Sequence, residues 1–218
     1  KKEIFGEEPS FYLKPNWLKF ITPGLTWSLP NDDKIIYLTF DDGPVNKATP
    51  YVLDVLNDFK AKVSFFVVGE MAEKNTVLLQ RMTASGILLG TKLLAPQWVK
   101  TPVQIYLKDV LKHQQFIDAI VLASSIKLFH LPYGRLTKTQ IGILKKEYII
   151  ILYEKISGDY QPNFSFSRVL RSLYGAQAGD IVLFHDSIKW YQNLEIFLSK
   201  VLAFFSARGY TFEILNMD

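Results

Sequence analysis

Two adjacent aspartates, Asp41 and Asp42, close an apolar run in the stretch LTFDDGP, residues 38–44. Neighbouring carboxylates repel, and burying either is costly without a cation or hydrogen-bond donors beside it. A pair placed there asks for a counter-charge. Farther along, three more polar stretches end apolar runs: HLPYG, SGDY and IVLFHDS. They supply His130, Asp159 and His185. Carboxylates and imidazoles are the side chains that most often move protons in catalysis. The four stretches therefore read as parts of one site, provided the fold brings their ends together.

The elements needed for that are visible. From residue 35 the chain alternates apolar strand patterns with helical ones: IIYLTF, then TPYVLDVLNDF; VSFFVVG, then VLLQRMTASG; ILLG, then VQIYLKDVLKHQQFIDAIV. KLFHLPYG precedes TKTQIGILKKE, and YIIILYEKI precedes SFSRVLRSLYGAQ. DIVLFHD precedes NLEIFLSKVLAFFSARG, and YTFEIL closes the series. About seven strand–helix alternations with short connections predict an α/β domain of parallel strands. In such barrels the C-terminal strand ends carry the chemistry, and that is where DDGP, PYG, SGD and HDS fall. One domain is expected over 35–218. Residues 1–34 form a lead-in packed on it, with Trp17, Phe20 and Trp27 as the anchoring side chains.

Composition narrows the functions. The chain has 218 residues, 49% of them hydrophobic, and a net charge of +4, enough for a sizeable core. The lysines are scattered, without the basic stripe that nucleic-acid binding needs. With no cysteine, disulfides, thiol catalysis and thiolate metal sites are excluded. No apolar run reaches membrane-spanning length and no secretory leader is visible, so no membrane span and no nucleic-acid partner are expected. Compartment and oligomeric state stay open.

TFDDGP, HLPYG, SGDY and IVLFHDS, in this order and spacing, resemble the polysaccharide deacetylases of carbohydrate esterase family four, the NodB-homology domain of bacterial proteins. The resemblance covers roughly residues 35–215. It implies a distorted (β/α) barrel of about seven parallel strands that removes acetyl groups from N-acetylated sugars with a divalent metal. It further implies that Asp41 is the general base and Asp42 a metal ligand. Asp159 would tune His185, the acid, and Leu183 would line the acetyl pocket. The R-x-P-[YF]-G motif of the family would supply an arginine to orient the base and, at Tyr133, a backbone N–H for the oxyanion.

Against that pattern the chain departs where the family places two histidine ligands. Aligned on Gly86 and Gly90, it has Ile87, Lys92 and Pro96 at the three positions where the family has histidine. Lys92 and Pro96 fall on the ligand positions. His130 stands where the arginine is expected, and Tyr153 where a tryptophan often sits. The whole chain holds three histidines, and the third, His113, falls inside a predicted helix. Asp42 alone makes a poor metal site, so no cofactor is expected, with zinc, cobalt or nickel only at an unusual site. Lys92 is either a solvent-facing lysine or, if turned toward Asp42, an ammonium counter-charge for the carboxylate pair. His130 is either a substitute for the arginine or a hydrogen-bonded strand-end residue.

Three functions remain open at this point: a hydrolase with a non-standard site, a pseudoenzyme that keeps a glycan groove, and a structural or partner-binding domain. Tyr133, Tyr160, Trp98 and Trp190 are candidates for stacking on sugar rings in such a groove. SIKWYQNLE, after the last motif, would form one of its walls. An N-acetylated glycan is the expected ligand.

Overall fold

A computed structural model describes residues 24–93, 101–121, 127–132, 137–161 and 165–217. The strands are β1 (Leu25–Thr26), β2 (Ile35–Asp41), β3 (Ser64–Val68), β4 (Leu88–Lys92), β5 (Leu128–His130), β6 (Ile149–Ile151), β7 (Lys155–Ile156), β8 (Ile181–His185) and β9 (Thr211–Phe212). Helices α1 (Ala48–Asp58), α2 (Gly69–Lys74), α3 (Thr76–Ala84), α4 (Val103–Ile120), α5 (Lys138–Leu144), α6 (Phe166–Ser172) and α7 (Tyr191–Ser206) lie between them. Eight strands run in the order β1-β6-β5-β4-β3-β2-β8-β7, and β9 pairs with the start of β2. Every strand pair is parallel, as an alternating α/β sequence requires.

The strand expected over YIIILYEKI is in fact two. β6 pairs with β5 and β1, whereas β7 pairs with β8 at the other end of the sheet. Residues 152–154 alone connect them, a reach of roughly 14 Å at most. The sheet must therefore curl until its two ends nearly meet. The Leu152 amide donates to Thr26 O at 2.7 Å on one side of the seam, and the Glu154 amide to Ile181 O at 2.9 Å on the other. Sequence marks this break only weakly, because Leu152 and Tyr153 continue the apolar run and Glu154 alone interrupts it. The split, with the short β1, brings the described strands to nine instead of about seven.

The seam is stitched again where Leu29 N donates to Gly179 O at 2.8 Å. Gly179 has φ +88, and a Cβ there would lie 2.5 Å from Leu29 O, so a side chain is excluded twice over. Trp27, in the lead-in, is buried with Leu93, Phe129 and Leu152. Trp17 and Phe20 lie outside the described residues, as do the first 23 residues in general.

Strand alternation sorts the core into two layers. Ile36, Leu38, Phe40, Val182 and Phe184 face outward, into one cluster with α1 and α7 residues such as Val52, Leu56, Leu194 and Phe197. Tyr37, Phe66, Leu128, Ile151, Ile181 and Leu183 fill the inside of the curl. Both faces of the central strands are covered, which is why their sequence reads as continuous apolar runs.

Candidate functional site

Period-two alternation decides which polar residues meet. On β2 the inward positions are Tyr37, Thr39 and Asp41. On β4 they are Leu88, Gly90 and Lys92, on β5 Leu128 and His130, and on β8 Ile181, Leu183 and His185. Register pairs these last residues two by two, and through Phe66 of β3 it sets Asp41 level with Gly90, one inward step before Lys92. Asp41 pairs with His185 across β2–β8, and Lys92 with His130 across β4–β5. Asp41, Lys92, His130 and His185 thus converge at the C-terminal mouth of the curled sheet.

Lys92 points at the aspartates. Its Nζ donates to Asp41 Oδ2 at 2.8 Å and to Asp42 Oδ1 at 2.9 Å. The solvent-facing alternative is therefore excluded by the geometry. Lys92 is 7% exposed and Asp41 1%, so this is a buried ion pair and not a surface one. Burial works against the ammonium, but the charges and hydrogen bonds of Asp41 and Asp42 outweigh it and hold the lysine pKa above its ordinary value. Burial likewise pushes the Asp42 carboxyl up. Lys92, with His185 and His130 beyond it, pulls the net value below the usual carboxylate range. Asp42 also has a left-handed backbone, φ +81, a conformation Asp tolerates better than most residues.

His130 Nε2 lies 3.4 Å from the same Asp41 Oδ2. Its ring is buried against Phe66, with centroids 5.1 Å apart, and faces Tyr153 at 6.2 Å. It therefore touches the aspartate that the family arginine is expected to orient, through one nitrogen in place of a fork of donors. Asp41 Oδ1 is buried and accepts no hydrogen bond among the described residues.

Opposite stands the second pair. Asp159, fully buried in the turn after β7, accepts from His185 Nδ1 at 2.8 Å through Oδ1 and from the His185 amide at 2.7 Å through Oδ2. Asn193 on α7 steadies the turn by donating to Asp159 O at 2.6 Å. Burial alone would favour a neutral imidazole. The Asp159 charge and hydrogen bond outweigh it, and the Asp42 charge adds to them, so the pKa is pushed up to about 9. His185 is consequently an imidazolium at neutral pH, its Nδ1 engaged and Nε2 left for a ligand. The Tyr160 ring meets it edge-on at 5.4 Å. Leu183, two residues earlier on the inward face, is buried. Trp190 sits half-buried in a 3-10 turn, Ile188–Trp190, with Lys189 Nζ 4.6 Å from its ring centroid. Pro96, Trp98 and Tyr133 lie outside the described residues.

One member of the cluster escaped the sequence reading. Asp186, fully buried beside His185, accepts from Gly43 N at 3.0 Å and bonds Thr49 Oγ1 at 2.5 Å. Burial pushes its carboxyl up to about 8, against the bonds from Thr49 and Gly43 and together with the Asp42 charge. The aspartate of FHDS and the glycine of DDGP were its only signals, and nothing local ties them together.

The curled parallel sheet with its polar mouth defines a carbohydrate-esterase type of (β/α) barrel. The polysaccharide deacetylase family model matches residues 28–148, more than half of the chain, and the chain belongs to that family. A peptidoglycan-N-acetylglucosamine deacetylase of Bacillus cereus is 29% identical over 192 residues, covering 86% of this chain and 89% of its own length. PgdA, a peptidoglycan-N-acetylglucosamine deacetylase of Listeria monocytogenes, is 30% identical over 190 residues, 84% of this chain but 38% of its own. Among solved structures, a peptidoglycan N-acetylglucosamine deacetylase superposes with a TM-score of 0.82 at 23% identity, covering 91% of this chain and 93% of its own. A family pseudoenzyme from Bacillus anthracis gives 0.78 at 17% identity, covering 91% and 69%.

The family implies a divalent metal, and the donor set argues against one here. Both carboxylates that would face it are bridged by an ammonium. Among the described residues no group of three or more His, Cys, Asp and Glu side chains could hold an ion. His113, in α4, is occupied elsewhere, its ring packed so close to Gly69 that a Cβ there would meet it at 2.1 Å.

Proposed function

We propose that this domain keeps the fold and glycan groove of the polysaccharide deacetylases, has lost their metal-dependent hydrolysis, and acts by binding N-acetylated glycan. The observation that carries this reading is Lys92 Nζ lodged between Asp41 and Asp42. A bound metal polarises an amide carbonyl and brings the pKa of its water to about 7. An ammonium ion is a hydrogen-bond donor of fixed charge and does neither. Asp41 Oδ2 is already engaged as an acceptor by the Lys92 ammonium. The Asp159–His185 pair retains an imidazolium that can donate to a sugar or acetamido oxygen. Tyr160 stands edge-on to His185 on that side of the mouth, and it and Trp190, five residues after His185, are the aromatic faces offered to sugar rings on this reading. The structural neighbour from Bacillus anthracis offers a precedent, since a mutant of that pseudoenzyme has restored enzymatic activity.

The test is metal analysis of the purified protein combined with binding and acetate-release assays on N-acetylchitooligosaccharides. The wild type is expected to bind glycan in the presence of chelator and release no acetate. Lys92→His combined with Pro96→His is expected to take up zinc and gain acetate release. Stoichiometric zinc, cobalt or nickel in the wild type, with metal-dependent acetate release, overturns the reading. So does a wild type that binds no N-acetylated glycan.

A further inference from the structure

We infer that Asp186 is a positioning residue of this site: its buried side chain brackets the Asp41–Asp42–Gly43 turn against the His185 strand, by hydrogen bonding and not by charge. The inference concerns the geometry of the mouth, and only its glycan readout rests on the function proposed above.

Three bonds make the bracket. The Asp186 amide donates to Asp41 O at 2.9 Å. Its Oδ1 accepts from Gly43 N at 3.0 Å, and its Oδ2 bonds Thr49 Oγ1 at 2.5 Å. Thr49 Oγ1 in turn accepts from Val45 N at 2.8 Å, so one side chain gathers both flanks of the turn. Asp186 and Thr49 are both 0% exposed, so bulk solvent does not reach these groups. The approach is so close that a Cβ on Gly43 would stand 2.0 Å from Asp186 Oδ2. Gly43 follows Asp42, and Asp186 follows His185. The bracket therefore sets where Asp42 stands relative to His185, although the two sit on different strands. It also holds Asp42 at φ +81, a conformation that persists only where its surroundings over-determine it.

Charge is the poorer account of the same contacts. A second buried carboxylate near Asp42 is repelled by it, and the partners of Asp186 are a backbone N–H and a hydroxyl. An asparagine keeps these contacts with the Thr49 bond reversed: its Oδ1 accepts from Gly43 N, and its Nδ2 donates to Thr49 Oγ1, which keeps a lone pair for Val45 N and turns its own proton away.

Asp186→Asn, Asp186→Ala and Thr49→Val decide it, each read by hydrogen exchange at the Gly43 amide, the 1H–15N resonance of the Lys92 ammonium and affinity for N-acetylchitotetraose. Asp186→Asn is expected to stay within about twofold of wild type in all three, because each contact keeps a hydrogen bond, with donor and acceptor exchanged at Thr49. Asp186→Ala leaves the Gly43 N–H unsatisfied. Its exchange should quicken by about tenfold or more through local opening, the Lys92 resonance should broaden, and affinity should fall. Unchanged Gly43 exchange in a folded Asp186→Ala overturns the inference, and so does an Asp186→Asn that behaves like Asp186→Ala. Should Asp186→Ala not fold, Thr49→Val decides, with Gly43 exchange expected about threefold faster and unchanged exchange overturning the bracket. A wild type that binds no tetraose overturns the glycan reading alone, because exchange and the ammonium resonance still report on Asp186.

Discussion

The two sides of the mouth solve the same problem differently. On one side two carboxylates share a lysine ammonium that is itself buried, and the charges close on one another. On the other, a single buried carboxylate grips one histidine through two bonds and leaves its second nitrogen for a ligand. On the function proposed above, Lys92 and His130 mark the side that differs from the family motif, and Asp159 and His185 the side that keeps it. A pair held by its own strand and turn needs no external cation. A buried carboxylate pair does need one, and Lys92 is 2.8 Å and 2.9 Å from its members.

The sharpest way to break this contrast is to remove the cation. Lys92→Met leaves Asp41 buried and Asp42 half-buried with no positive partner between them. Breaking a buried pair from one side costs roughly 3–5 kcal/mol. Urea unfolding at pH 7 should show a loss of that size. Added zinc or calcium that restores stability in Lys92→Met, and not in wild type, would show the carboxylates accepting an external ion once the lysine is gone. A loss below about 1 kcal/mol would place Lys92 among ordinary surface pairs and dissolve the contrast.

The opposite side should report through pH. The folded pKa of His185, about 9, lies above its ordinary value of 6.5. Its pairing therefore contributes full stability below about pH 6.5, and the contribution fades as pH rises through about 9. A decline on the order of 2 kcal/mol between pH 6.5 and 9.5 is expected. Asp159→Asn should flatten it, because the charge that raises the pKa is gone. A decline of the same depth in Asp159→Asn would assign it to another group.

Much of this was legible in the sequence. Apolar runs alternating with amphipathic ones gave the parallel α/β sheet, and the polar ends of LTFDDGP, KLFHLPYG and DIVLFHD gave the mouth. Lys92 as a counter-charge was one of two open alternatives, because sequence spacing gives no χ angles. Inward parity closes that choice once β4 is seen to run from Leu88 to Lys92 in register with β5. The seam between β6 and β7 was illegible, because the apolar pattern of YIIILY runs through Leu152 and Tyr153 and a lone Glu154 does not distinguish a break from a strand end. The Asp186–Gly43–Thr49 bracket was illegible for a different reason. It joins residues 143 and 137 positions apart, and only the β2–β8 register brings them within reach.

A finer cut falls within the carboxylate pair itself. Asp41 is 1% exposed and its Oδ2 takes both Lys92 and the His130 contact, whereas the Asp42 side chain is 29% exposed. Water screens an exposed partner and leaves a buried one at full strength. Asp41→Asn should therefore cost more stability than Asp42→Asn at pH 7, by about 1 kcal/mol. The acid side separates them again. The Asp42 carboxyl titrates below its ordinary value of 3.8, so its contribution is present above that pH and is lost as pH falls through the lower folded value. In Asp42→Asn the acid limb of the stability profile should flatten accordingly. If Asp42→Asn proves the costlier change, the lysine is anchored at the rim and not in the wall. Its ammonium would then stand nearer to an incoming sugar than Asp41 does.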